Sequence, residues 1–172
     1  MSKIQEIVDS KIKPKEKTMR LAKAIKDKNL LDEVVEIFPN LGDPEKGTVL
    51  SGITEISRKD PQFVAPLLNF LIDHINYKAN RVKWEAAESV GNLAKVDPEK
   101  AVSAIPNFKK LAKDPGTVIR WSAAYGLTEI AKVNLEARVK LMPFFKQQIA
   151  SEKNNGVKNV YVKALKIMEK GA

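Results

Sequence analysis

The segment Val82-Lys83-Trp84-Glu85-Ala86-Ala87 returns 37 residues later as Ile119-Arg120-Trp121-Ser122-Ala123-Ala124, and the likeness continues through a helix, a turn and the next helix. A period of that length constrains the fold more than any composition does. A single helix pair leaves one apolar face bare, so the units must stack and bury a continuous core between neighbours. The expected architecture is all-α, a short solenoid of helix pairs.

The chain has 172 residues, enough to bury a real core, and its 44% apolar and 30% charged residues belong to a folded chain and not to a disordered one. Cysteine is absent, which excludes a disulfide framework, a thiol nucleophile and thiolate metal ligands. Residues Met1 to Lys13 are polar with scattered Ile and Val, so neither a signal peptide nor an anchor is expected there. The longest apolar run, Phe63 to Ile72, is interrupted by Asn69 and is too short to span a bilayer. A cytoplasmic protein without a membrane partner is the expectation. Oligomeric state is not encoded in any pattern of this kind.

The formal charge of +9 is unevenly spread. Residues 1–30 carry nine Lys or Arg against four acids and residues 138–172 eight against two, while the segment between has thirteen against fifteen. A contiguous basic stripe would suit a phosphate-rich partner; separate lysine-rich helix faces would simply be solvated.

Periodicity, with Pro, Gly and Asn as punctuation, predicts helices over about 2–11, 15–28, 30–38, 45–58, 61–76, 80–96, 98–113, 117–133, 135–152 and 156–170. These group into units of roughly 1–28, 29–58, 61–96, 98–133 and 135–170 within a single domain. In Asp60-Pro61 and Asp97-Pro98 the aspartate is expected to cap the helix, and the proline stands where a free N–H would have no partner. With Glu45, Val82, Ile119 and Val157 as position one of successive second helices, positions five, eight, nine and twelve form one apolar face. They are Val49, Gly52, Ile53, Ile56; Ala86, Ser89, Val90, Leu93; Ala123, Gly126, Leu127, Ile130; and Tyr161, Ala164, Leu165, Met168. Phe63, Leu67, Leu68, Leu71, Val102, Ile105, Phe108, Leu111, Val139, Met142, Phe145 and Ile149 supply the facing wall.

The run Ile105-Pro106-Asn107-Phe108 to Asp114-Pro115, followed by Val118-Ile119-Arg120-Trp121-Ser122-Ala123-Ala124-Tyr125-Gly126-Leu127, resembles a HEAT repeat. The likeness lies in the proline within the first helix, the turn aspartate, the Ile-Arg pair and the Ala-Ala-x-Gly-Leu helix. The preceding unit matches nearly as well with Lys83 for Arg120; residues 45–76 match loosely and the first 44 weakly. The resemblance implies a short right-handed α-solenoid of about four to five HEAT-like helix pairs. Its second helices would line a concave surface that holds a protein, a peptide or a nucleic acid. It also implies that Arg120, in a position-two series with Lys46, Lys83 and Lys158, pairs with Asp114 or an acid of the neighbouring unit as a structural bridge.

Opposite the core, positions three, seven, ten and fourteen read Gly47, Ser51, Thr54, Arg58; Trp84, Glu88, Gly91, Lys95; Trp121, Tyr125, Thr128, Lys132; and Asn159, Lys163, Lys166, Lys170, and all are expected to face outward. Large aromatics on an exposed face mark contact sites. The candidate partner-binding residues are therefore Trp84, Glu88, Trp121 and Tyr125, bordered by Arg58, Lys95 and Lys132, with Trp84 and Trp121 forming one platform. Catalytic signatures are sparse: one histidine, His74, no Gly-rich phosphate loop and no ligand set for a metal. No cofactor is called for. Glu85, Glu88 and Glu129 lie near the groove, and a carboxylate beside tryptophan can have a raised pKa, but no second catalytic group accompanies them. A non-enzymatic scaffold for a protein or peptide is the leading reading, with a basic nucleic-acid-binding solenoid as the alternative. HEAT-like alkylpurine DNA glycosylases share the Trp, Arg and basic groove, although this chain is shorter and has no aspartate on the stripe.

Overall fold

A computed structural model describes residues 1–171. Among these residues the regular structure is entirely helical: α1 Lys3–Asp9, α2 Pro14–Lys28, α3 Leu31–Ile37, α4 Asp43–Lys59, α5 Pro61–Val64, α6 Leu68–Asp73, α7 Asn80–Leu93, α8 Pro98–Val102, α9 Ile105–Leu111, α10 Thr117–Val133, α11 Leu135–Ser151 and α12 Asn155–Gly171. Short 3-10 turns occupy Phe38–Asn40 and Ala65–Leu67. The long helices α2, α4, α7, α10 and α12 form an inner row in which each packs on the next, and the remaining helices pack behind them. The two basic ends of the chain thus lie at opposite ends of the row and do not merge into one patch.

The outer helices are less continuous than their periodicity predicts. The expected helix over 61–76 breaks at Ala65–Leu67, and that over 98–113 breaks at Ser103 and Ala104, where both backbone N–H groups bond three residues back. Pro66 and Pro106 cause these breaks, since each lacks an N–H and its ring crowds the carbonyl four residues earlier. Pro143 sits inside the unbroken α11 on an exposed side, with exposed Val139 one turn before it. Val139, expected in the core wall, is 64% exposed because that side of α11 has no helix against it among the described residues.

Helix starts also show where local chemistry is diverted. Asp97 caps α8, accepting from the Lys100 N–H at 3.1 Å. Asp60 makes no such cap; its carboxylate turns to Lys26 Nζ at 3.0 Å instead. The start of α4 lies two residues earlier than predicted because Glu45 folds back to accept from the Gly42 N–H at 2.7 Å. Positions five, eight, nine and twelve are buried throughout, apart from half-buried Leu165, which confirms the core register. His74 ends α6 with Nδ1 2.6 Å from the Phe70 carbonyl and its ring 4.9 Å from Phe38, a packing role in the outer row.

Candidate functional site

The outward stripe is narrower than the sequence suggests, because adjacent inner helices close over much of it. Gly47, Ser51, Thr54, Gly91 and Thr128 are buried at the junctions; Trp84, Glu88 and Tyr125 are half-buried; Arg58, Lys95, Trp121 and Lys132 remain exposed. Each junction is closed by different chemistry.

Between α4 and α7 the seal is polar. Thr54 Oγ1 donates to Glu85 Oε2 at 2.7 Å and lies 3.0 Å from Ser89 Oγ, while the Trp84 indole N–H donates to Glu85 Oε1 at 3.1 Å. Arg58 forks onto Glu88, with Nη2 at 2.9 Å from Oε2 and 3.0 Å from Oε1, and reaches Glu55 at 3.2 Å. Burial pushes the Glu85 carboxyl above its ordinary pKa against the opposing Thr54 and Trp84 hydrogen bonds. A carboxyl raised on folding binds its proton to higher pH in the folded chain than in the unfolded one, so it contributes less stability as pH climbs from the unfolded value through the raised one. Glu85→Gln is therefore expected to raise Tm at neutral pH by about 2–4 °C, equivalent to roughly 1 kcal/mol. Melting curves of both proteins should converge below about pH 4, where the wild-type carboxyl is neutral in both states.

Between α7 and α10 the seal is aromatic. Tyr125 lies across Gly91, where an added Cβ would come within 2.7 Å of its ring, and its hydroxyl donates to the Asn92 side-chain carbonyl. Asn92 in turn donates to Ser57 Oγ at 2.9 Å, tying three inner helices together. The phenol, pushed up to about 12 by burial and by nearby Glu129 and Glu88, stays protonated and remains a donor. Trp121 stacks on Tyr125, centroids 5.5 Å apart and planes 3° from parallel, and is 39% exposed. Trp84 instead packs against the core cluster. The aromatic platform is thus Trp121 with Tyr125, one turn apart on α10, and not Trp84 with Trp121.

The expected basic border is largely spent. Arg58 is held by Glu55 and Glu88, and Lys132 pairs with Glu129 at 2.8 Å; Lys95 has no carboxylate within 4.0 Å among the described residues. Arg120 forms the structural bridge expected of it, to an acid of the neighbouring unit, and Lys46 and Lys83, though not Lys158, make rungs of the same kind. Lys46 donates to Tyr77 at 3.2 Å, Lys83 pairs with Asp114 at 2.9 Å, and Arg120 pairs with Glu152 at 3.0 Å while also donating to the carbonyls of Asp114 and Pro115. Each rung links an inner helix to a turn 31 or 32 residues on. Sequence reasoning had not assigned Asn92 to the site; its partners Ser57 and Tyr125 lie across helix junctions, which periodicity within one helix does not reveal.

No family model and no curated protein matches this sequence. Solved structures do match it across nearly its whole length. A designed armadillo repeat protein in complex with the peptide (KR)4 superposes with a TM-score of 0.75 at 18% identity, covering 95% of this chain and 79% of that one. A computationally designed armadillo repeat protein for modular peptide recognition gives 0.72 at 18% identity, with the same coverages. The fold is an armadillo-like α-solenoid. In this solenoid the prolines at 66 and 106 split two outer helices, so that α5, α6 and α7, and again α8, α9 and α10, run as three helical segments per unit where an unbroken pair was predicted.

Proposed function

We propose that the chain is a non-enzymatic binding scaffold that holds a protein segment in extended form along the free face of its inner helices. The observation that carries this reading is the Trp121–Tyr125 stack, a flat, partly exposed aromatic surface set on a rigid helix and locked through Asn92 to the two helices before it. Stacked aromatics on a preorganised helix face bind at little entropic cost. Trp84, Glu88, Arg58, Lys95 and Lys132 surround it as the remaining contact residues. The five helix pairs act together as one HEAT-like or armadillo-like unit. Structural neighbours that recognise peptides support the same reading by analogy of fold.

A peptide-display library panned against the protein, followed by Trp fluorescence titration of a selected peptide, tests it. Trp121→Ala with Tyr125→Ala is expected to weaken binding by about 30-fold or more, as loss of central aromatic anchors does, with helicity retained. Selection of no peptide, or an affinity unchanged in the double variant, would overturn the reading. Tight binding of duplex nucleic acid that falls steeply with salt would favour the basic-solenoid alternative instead.

A further inference from the structure

The α10–α12 junction has the donors of the α4–α7 junction without its acceptors. At the earlier junction Thr54, at position ten, serves the carboxylate of Glu85, and Arg58, at position fourteen, serves Glu88. The same positions on α10 are Thr128 and Lys132. On α12, however, the positions of Glu85, Glu88 and Ser89 are held by Val160, Lys163 and Ala164. A hydrogen-bond donor and a cation thus face a helix from which both carboxylates are missing.

Two independent observations mark the consequence. Thr128 is 5% exposed, and its hydroxyl has no hydrogen-bond partner, whereas Thr54 is fully served. An unpaired buried hydroxyl carries a desolvation penalty that an incoming acceptor would relieve. Lys163, Lys166 and Lys170 rise along the same face of α12, exposed and without a carboxylate within 4.0 Å among the described residues, and the one acid of α12 is Glu169. The acid beside the junction on α10, Glu129, is taken by Lys132 at 2.8 Å.

We propose that this junction binds a carboxylate-bearing stretch of the partner peptide, whose Asp or Glu side chains supply from the groove the acceptors that Val160 and Lys163 do not. The inference rests on the peptide-scaffold reading and gives its ligand a charge. An acidic peptide is favoured over a basic one because the groove acids a basic peptide would need are engaged: Glu55 and Glu88 by Arg58, and Glu129 by Lys132. It is favoured over a nucleic acid because the cognate acceptor displayed within the molecule is a carboxylate, and the aromatic platform of α10 adjoins it.

Fluorescence anisotropy with a labelled Glu-Gly alternating dodecapeptide, its Lys-Gly counterpart and an oligothymidine of equal charge tests the assignment on the full chain. The acidic peptide should bind at least tenfold tighter than the basic one. Lys163→Ala with Lys166→Ala should weaken it about tenfold or more, and Thr128→Val about fivefold, as loss of charge-assisted and single hydrogen bonds does. Valine fills the threonine's volume without an orphaned hydroxyl, so Thr128→Val should melt no lower than wild type; a fall in affinity with Tm unchanged or higher is a readout that a purely structural role would not give. Equal binding of both peptides, lost only with Trp121→Ala and Tyr125→Ala, would overturn the acidic assignment and leave the scaffold standing. Binding of neither would sink both. Oligothymidine binding tighter than the acidic peptide, or an affinity indifferent to Thr128→Val, would also overturn the proposal as stated.

Discussion

Gly126→Ala is expected to destabilise the protein by about 2–3 kcal/mol, lowering Tm by roughly 5–10 °C, although alanine is the better helix former by about 1 kcal/mol. A Cβ at this position would lie 2.2 Å from Cε1 and Cζ of Phe108, closer than any real contact, and the Phe108 ring is fully buried with nowhere to go. The helices α9 and α10 would have to separate. Gly91, at position ten of the preceding unit, also faces an aromatic ring, Tyr125 at 2.7 Å, but that ring is only half-buried and can shift at the cost of its Asn92 bond and its Trp121 stack. The paired measurement is thermal melting of the two variants: Gly126→Ala should lose far more than Gly91→Ala. Equal losses would show that the tight approach at Gly126 is not what fixes α10 against its outer helix.

Glu152→Gln should be the costliest single-atom change in the chain, at about 2–3 kcal/mol near neutral pH. Glu152 is 8% exposed, and its carboxylate accepts from Arg120 at 3.0 and 3.2 Å and from the Asn154 N–H at 3.0 Å. Burial pushes its pKa up, but the Arg120 hydrogen bond, the backbone N–H donors and the guanidinium charge outweigh that, and the net shift is downward. A carboxyl lowered on folding contributes stability that is complete above its unfolded pKa and is lost as pH falls through the lower, folded value. The gap between wild type and Glu152→Gln should therefore be widest at pH 7 and begin to close below about pH 4.5. Urea titrations across that range check it, and a gap independent of pH would refute the assignment. Glu85→Gln has the opposite sign for the opposite reason, so the two variants calibrate one another.

What the sequence made legible was everything that repeats within one helix. The 37-residue echo located the core face, and residues such as Val90, Leu127 and Ala164 are buried as that register requires. The Arg120 bridge was readable because turn and helix start recur together. The breaks at Ala65–Leu67 and Ser103–Ala104 were not, since the same residue is tolerated inside α11 at Pro143, and all three prolines are exposed, so neither residue type nor exposure separates the cases. The candidate site was legible in part. Trp121 and Tyr125 stand on an open face as expected, but Trp84 did not join them, because its indole is drawn onto Glu85 by a hydrogen bond whose acceptor is itself placed by Thr54 on another helix. Contacts between parallel elements depend on how far apart the helices sit, and no single-helix period contains that distance.

The side-chain rungs from Lys46 to Tyr77, Lys83 to Asp114 and Arg120 to Glu152 each reach from one inner helix to the turn before the next, and Arg120 also holds the turn that precedes its own helix. Because neighbouring units share one continuous core, loosening a rung is expected to change the splay of two adjacent inner helices and the spacing of whatever the groove grips at that boundary.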